Sequence, residues 1–319
     1  MTRKIALEEH FLVDGFANMA RTDGSGPAAA FRRQAAERLP EIDALRLEAM
    51  DKAGIEVSVL SLFNPGIQGE RDTATAIRKA KTVNDTLAER IARHPARFRG
   101  FAVVPMQDPR QAADELERAV REFGFKGALI NGHTQGVYLD DARCLPFWER
   151  VAALDVPIYL HPTNPMTIPA AFDGYPGLAG AMFGWAAETG AHALRLVLCG
   201  LFDRFPSLTV ILGHMGEALP FYLWRIDSRF KISEPKLALR RMPSEYIRRN
   251  IAVTTAGAFS PEPLRCTIDA MGLDRVLFSV DYPLEDSEEA ARFIEAAPLS
   301  QVEREAVCFR NAERLLRFS

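Results

Sequence analysis

The chain has 319 residues, 48% of them hydrophobic and 25% charged, with a formal net charge of −3. This is the composition of a folded globular protein and excludes a disordered one, and its slight acidity (pI near 6.1) argues against nucleic acid or an anionic membrane surface as the main partner. Cys144, Cys199, Cys266 and Cys308 show no C-x-x-C spacing, which argues against a thiolate zinc site or a disulfide framework and leads us to expect reduced, mostly buried thiols. No apolar stretch reaches the ~18 residues of a membrane span, and no apolar signal core follows a basic start, so a cytoplasmic location is expected.

Taken in chain order, short apolar runs recur along the whole length: Ile5 to His10, Val57 to Leu62, Gly100 to Val104, Gly127 to Asn131, Pro157 to His161, Thr209 to His214, Ile251 to Thr255 and Val276 to Asp281. Continuous rather than alternating apolarity is the mark of parallel strands buried on both faces, and each run is followed by a segment of helical spacing. One such segment, "DPRQAADELERAVREFGF", offers Asp108 as N-cap before Pro109 and stops at Gly124. Eight alternations of strand and helix predict a (β/α)8 TIM barrel, with a doubly wound open sheet as the alternative. No linker or repeat interrupts the pattern, so residues 1–319 are expected to form a single domain. Three longer connections, 12 to about 38, 162 to about 182 and 225 to about 247, leave strand ends on the face where barrels carry their chemistry.

Ionisable residues collect at those same ends. The first strand ends in Glu8-Glu9-His10, the fifth in His161, the sixth in His214 and the eighth in Asp281. Side chains alternate along a strand, so Glu8 and His10 face one side and Glu9 the other. A divalent cation needs three or four donors from different elements, and Glu8, His10, His161 and Asp281 supply two nitrogens and two oxygens, a set suited to zinc, manganese or iron. His214 is placed to act as a fifth ligand or as an acid/base group. For His161 or His214 alone, a satisfied core position is the more common outcome; the convergence of all these residues argues for function. His94 and His192 look structural, and His133, in "INGHTQG", fits a loop position somewhat better than a substrate contact.

With these residues in place, the chain resembles the amidohydrolase superfamily. It is most similar to the metal-dependent non-oxidative decarboxylases around aminocarboxymuconate semialdehyde decarboxylase, and within them to those of γ-resorcylate, 2,3-dihydroxybenzoate and 5-carboxyvanillate. The resemblance runs nearly end to end and is carried by "ALEEHF", "NDTLAE", "HPARFRGFAVVPMQDP", "FGFKGALINGHTQG", "YLHPTNP", "GLFDRFPSLTVILGHMGEALPFYLWRID" and "FSVDYP". "EEH" points to the γ-resorcylate type and "INGHTQGVYLD" to the carboxyvanillate type.

The resemblance implies one divalent ion, Zn or Mn, at Glu8, His10, His161 and Asp281, with no organic cofactor. It implies that His214 is catalytic, that Glu217 orients it, that Arg225 pairs with the substrate carboxylate or holds the site's geometry, and that Arg46 reaches a neighbouring subunit's pocket. A homodimer or homotetramer is implied too. Many superfamily hydrolases begin with His-x-His and carry a lysine at the end of the fourth strand. Here the first strand has Glu-x-His, and Lys126 stands at the entrance of the fourth, which favours one metal.

The expected activity is decarboxylation of a small aromatic acid, an ortho-hydroxybenzoate, by ring protonation and loss of CO2. Asp281 is assigned as the acid, and Phe11, Phe172, Phe183, Trp185 and Tyr282 are candidate apolar walls, with Phe183 and Tyr282 taken as substrate contacts. The competing expectation is a metal-dependent hydrolase of a small ester, lactone or amide on the same scaffold.

Overall fold

A computed structural model describes residues 1–16, 27–233 and 237–318. Its strands are β1 Lys4–Phe11, β2 Ile55–Leu62, β3 Phe98–Gly100, β4 Ala128–Asn131, β5 Ile158–His161, β6 Val210–Leu212, β7 Ile251–Thr254 and β8 Val276–Leu277. They pair in parallel in chain order, β1-β2-β3 and β4-β5-β6-β7-β8. Backbone bonds join the two groups at both seams. Ala102 N donates to Gly127 O (2.8 Å) and Leu129 N to Ala102 O (3.2 Å); on the far side His10 N donates to Tyr282 O (2.7 Å) and Asp281 N to Glu8 O (3.0 Å). The architecture is the expected (β/α)8 barrel.

The continuous apolarity of the strands has the expected cause: every residue of β1 is buried, because its two faces meet different layers. Ile5, Leu7, Val59, Phe101, Tyr159 and Ile211 belong to a cluster inside the strand ring, while a larger cluster packs strands against helices. The helix Pro109–Phe123 is capped as its sequence suggests, with Asp108 accepting from the N–H groups of Arg110 and Gln111 and Gly124 closing it at φ 69°.

Several expected boundaries move. β3 begins and ends earlier than Gly100 to Val104, and β6 and β8 stop at Leu212 and Leu277. His214 and Asp281 therefore lie beyond the strands, in backbone at φ 49° and 79°. Within the first long connection, residues 17–26 lie outside the described residues and Pro27–Arg38 is a helix. The third takes in the end of the helix Leu219–Phe230 and the start of Pro243–Asn250, with 234–236 outside the described residues. Cys144 and Cys308 are buried, but Cys199 and Cys266 are exposed, so burial holds for half of the thiols; all four are free. Among the described residues, no helix is long and apolar enough to cross a membrane.

β1 also carries an irregularity. Ala6 pairs with Ser58 and Glu9 with Leu60, so β1 advances three residues while β2 advances two. Such a bulge resets the alternation of faces, and Leu7 and Glu8, although consecutive, both point inside the barrel. Ser279 satisfies the displaced backbone: its Oγ accepts from Glu8 N at 2.6 Å and from Leu7 N at 3.2 Å.

Candidate metal centre and adjoining cavity

At the C-terminal ends of the strands, four buried side chains converge. Glu8, His10, His161 and Asp281 each present one atom, and these atoms lie within 4.8 Å of one another. His161 Nε2 is 3.2 Å from Glu8 Oε1, His10 Nε2 is 3.1 Å from Asp281 Oδ1, and His10 Nε2 is 4.0 Å from Glu8 Oε1. Glu8 Oε1, His10 Nε2 and Asp281 Oδ1 are buried without a hydrogen-bond partner. Buried polar atoms are rarely left so, and three of them facing one point are what a bound cation would satisfy. The other ring nitrogens are engaged, His10 Nδ1 with Ser61 Oγ (3.1 Å) and His161 Nδ1 with Pro162 O (2.9 Å). A ring that donates from Nδ1 keeps the Nε2 lone pair free for a metal.

Glu9 turns away, as the alternation implies. Its Oε1 accepts from Val280 N (3.0 Å) and Ser279 Oγ (3.3 Å), and burial raises its carboxyl to about 8. It locks the last strand's extension against the first.

His214 and Glu217 stand beside the cluster on an unusual turn. His214, Met215, Gly216, Glu217 and Ala218 have φ values of 49°, 56°, 80°, 53° and 63°. Four of these five left-handed residues bear side chains, a conformation that costs about 1–2 kcal/mol per residue and is retained where function demands it. The turn brings Glu217 Oε1 to 2.8 Å from His214 Nδ1. His214 Nε2 then faces Asp281 Oδ2 at 3.7 Å and Glu8 Oε1 at 3.9 Å. Burial opposes a charge on His214, but Glu217, Glu8 and Asp281 outweigh it and raise the imidazole well above its ordinary value. Burial likewise opposes the Asp281 carboxylate, and His10 and His214 outweigh that, holding it far below the usual range.

A cavity of about 600 Å³ adjoins the cluster at His214 and Gly257, with Pro162, Trp185, Phe221 and Pro263 among its walls. A Cβ on Gly257 would stand 3.2 Å from His214 Cδ2 and 3.6 Å from Asp281 Oδ2, so the backbone here leaves the gap between these two groups open to a ligand.

Of the expected wall residues, Trp185 lines this cavity. Phe11 is buried in the outer core. Phe172 and Phe183 pack edge to face at 6.3 Å, with Phe183 57% exposed. Tyr282 is buried outside the cavity beneath Arg46, whose guanidinium lies 4.5 Å from its ring centroid. Its place as a substrate contact is thus corrected: the backbone bond from His10 N to Tyr282 O keeps this residue on the seam. Arg46 is likewise not poised for a neighbouring pocket. It is 1% exposed, and its Nη2 donates to His10 O, bracing β1 from outside the barrel. Arg225 is exposed on the helix Leu219–Phe230 and is not among the cavity-lining residues. Phe221, missed by sequence reasoning, takes a wall position from that same helix; its spacing resembled that of ordinary core and surface aromatics.

The remaining histidines are structural in setting. His94 Nε2 meets Asp43 Oδ1 (2.9 Å), His133 Nε2 meets Asn164 O (3.1 Å), and His192 Nε2 accepts from Leu139 N (2.9 Å). Lys126 Nζ donates to Arg317 O (3.3 Å) at the opposite end of β4.

Comparison with known proteins extends this picture. A family model described as Amidohydrolase matches residues 9–318. The chain is 43% identical to a gamma-resorcylate decarboxylase of Polaromonas sp. (strain JS666), covering 100% of both chains. Among solved structures, a 2,6-dihydroxybenzoate decarboxylase complexed with 2,6-dihydroxybenzoate superposes with a TM-score of 0.93 at 40% identity, covering 100% of both chains. A dihydroxybenzoic acid decarboxylase of Polaromonas sp. JS666, with bound manganese and the inhibitor 2-nitroresorcinol, gives 0.91 at 42% identity, covering 99% of this chain and 97% of that one.

Proposed function

This chain belongs to the amidohydrolase family, and within it we propose a divalent-metal-dependent decarboxylase of an ortho-hydroxybenzoate of the 2,6-dihydroxybenzoate type. The observation that carries this reading is the convergence of three unpartnered buried donor atoms beside an apolar-walled cavity. Full-length similarity to decarboxylases of that acid supports it.

Glu8, His10, His161 and Asp281 would hold one ion, Mn or Zn. When bound, such an ion would supply Lewis-acid neutralisation of negative charge on the substrate. The chain's own residues handle the proton. Loss of CO2 straight from the ring would leave an aryl carbanion, so the carbon bearing the carboxylate must be protonated first. His214, oriented by Glu217 through Nδ1, is the group placed to supply that proton. Asp281 takes it through Oδ2, the oxygen facing His214, and delivers it to the ring carbon. The bond to the carboxylate then breaks, its electrons return to the ring, and CO2 leaves. Each turnover consumes one proton, which solvent restores to His214. Trp185, Phe221 and Pro263 give the ring an apolar setting and limit water.

We also assign residues 1–319 to one catalytic barrel and place it in the cytoplasm, where free thiols such as these persist. A homodimer or homotetramer is proposed from the helix Leu219–Phe230, which leaves Phe221 76% and Trp224 77% exposed; aromatic side chains of this kind are enriched at interfaces. The deciding assay supplies Mn²⁺-loaded protein with 2,6-dihydroxybenzoate and measures CO2. A hydrolase would instead release acid from a neutral ester or lactone and leave the benzoate intact.

A further inference from the structure

Below the four converging side chains lies a fifth polar one with no role so far. Tyr159 sits two residues before His161 on β5, so both point into the barrel. Its ring belongs to the inner apolar cluster and is fully buried, a place where a phenol hydroxyl needs a polar partner. The hydroxyl donates to Glu8 Oε2 and lies 2.9 Å from Thr254 Oγ1, which in turn is 3.4 Å from Ala256 N.

The direction of each bond in this chain is determined. An ionised carboxylate can only accept, so Tyr159 donates to Glu8. The Thr254 hydroxyl then donates to the Tyr159 oxygen, and the Thr254 oxygen accepts from Ala256 N–H. Gly213 makes the meeting possible, since a Cβ there would stand 2.5 Å from Glu8 Oε2 and 3.2 Å from the Tyr159 hydroxyl. The two oxygens of Glu8 are thereby separated in role: Oε2 is occupied from below, and Oε1 is left unpartnered, facing His161 Nε2 at 3.2 Å.

We propose that Tyr159, held by Thr254, is a positioning residue of the metal centre that restrains Glu8 to coordination through Oε1 alone. This rests on the reading of Glu8, His10, His161 and Asp281 as metal ligands. Outer partners of ligating groups act by fixing ligand orientation, and their loss weakens metal binding by about 10- to 100-fold.

The test is Mn²⁺ affinity of the full chain, by competition with a chelating indicator, together with the melting temperature of the metal-free protein. Tyr159→Phe is expected to weaken Mn²⁺ binding by about 10- to 100-fold. Thr254→Val, which releases the phenol without removing it, is expected to weaken it less but in the same direction. A phenol that merely filled the core would leave affinity at the wild-type value and alter only the melting temperature, and that result would overturn the proposal. Should Tyr159→Phe fail to fold, Thr254→Val decides by the same comparison. A wild-type chain that binds no Mn²⁺ would overturn the metal reading itself, an outcome distinct from equal binding by wild type and variant.

Discussion

Asp281 divides its oxygens between two neighbours, with Oδ1 3.1 Å from His10 Nε2 and Oδ2 3.7 Å from His214 Nε2. Asparagine in its place keeps a neutral oxygen for the first side and cannot carry a proton on the second. Asp281→Asn is therefore expected to retain Mn²⁺ by metal analysis while kcat falls by about 100- to 10,000-fold, the usual range for a lost general acid. Unchanged turnover would remove Asp281 from its role. Glu217→Gln leaves the imidazole a hydrogen-bond partner but no negative charge, so we expect a lower kcat with metal content and KM little changed, measured by steady-state kinetics on the metal-loaded protein. At this scale the four converging donors were legible because alternation along β1 and the positions of polar residues at strand ends determine them. Tyr159 was not, because nothing in "IYLHP" distinguishes a packed tyrosine from one bonded to a residue 151 positions away. The left-handed turn from His214 to Ala218 was also hidden, since Met215, Glu217 and Ala218 are types that rarely adopt positive φ. Arg46 and Tyr282 were misplaced because a sequence does not show that the guanidinium and the ring would stack on each other outside the barrel.

Ser279 ties the seam between the first and last strands. Its Oγ accepts from Leu7 N and Glu8 N and lies 3.3 Å from Glu9 Oε1. Ser279→Ala would leave buried donors unsatisfied, and denaturant titration should show a loss of about 1–3 kcal/mol. Helix Gly184–Leu198 is anchored by His192, whose ordinary value of 6.5 is pushed down to about 3 by burial, with Arg195 and His133 adding to it. The folded value lies below the unfolded one. The neutral ring's contribution is thus complete above pH 6.5 and is lost as pH falls toward 3, at up to about 1.4 kcal/mol per pH unit. His192→Asn, which cannot titrate, should show a stability difference from wild type that is flat above neutrality and shrinks in acid, measured by chemical denaturation across that range. Strand and helix identities were legible from apolar runs and caps such as Asp108 and Gly124. Their ends were less so, because the residues after β6 and β8 remain buried while their backbone leaves the ladder. The bulge in β1 left no mark either: "ALEEHF" reads the same with or without an extra residue between Ala6 and Glu9.

At the scale of the whole molecule, ring closure explains why residues near both ends of the chain share one site. Asp281 N donates to Glu8 O at 3.0 Å and His10 N to Tyr282 O at 2.7 Å, so the seam that completes the barrel also brings together the candidate metal-binding residues. That topology was legible in the eight alternations, and the decarboxylase branch in Glu-x-His. The cavity was not, since its walls come from the distant segments around Trp185, Phe221 and Pro263. Removal of CO2 from an ortho-hydroxybenzoate is the reaction proposed for this centre. It is tested most directly by adding 2,6-dihydroxybenzoate to the purified protein after chelation and again after Mn²⁺ is restored, with CO2 and 1,3-dihydroxybenzene both quantified. Equimolar products are expected with the ion, none after chelation, and recovery on its return; an Mn²⁺-loaded protein that leaves the acid untouched, or CO2 release that is indifferent to chelation, would rule this reaction out.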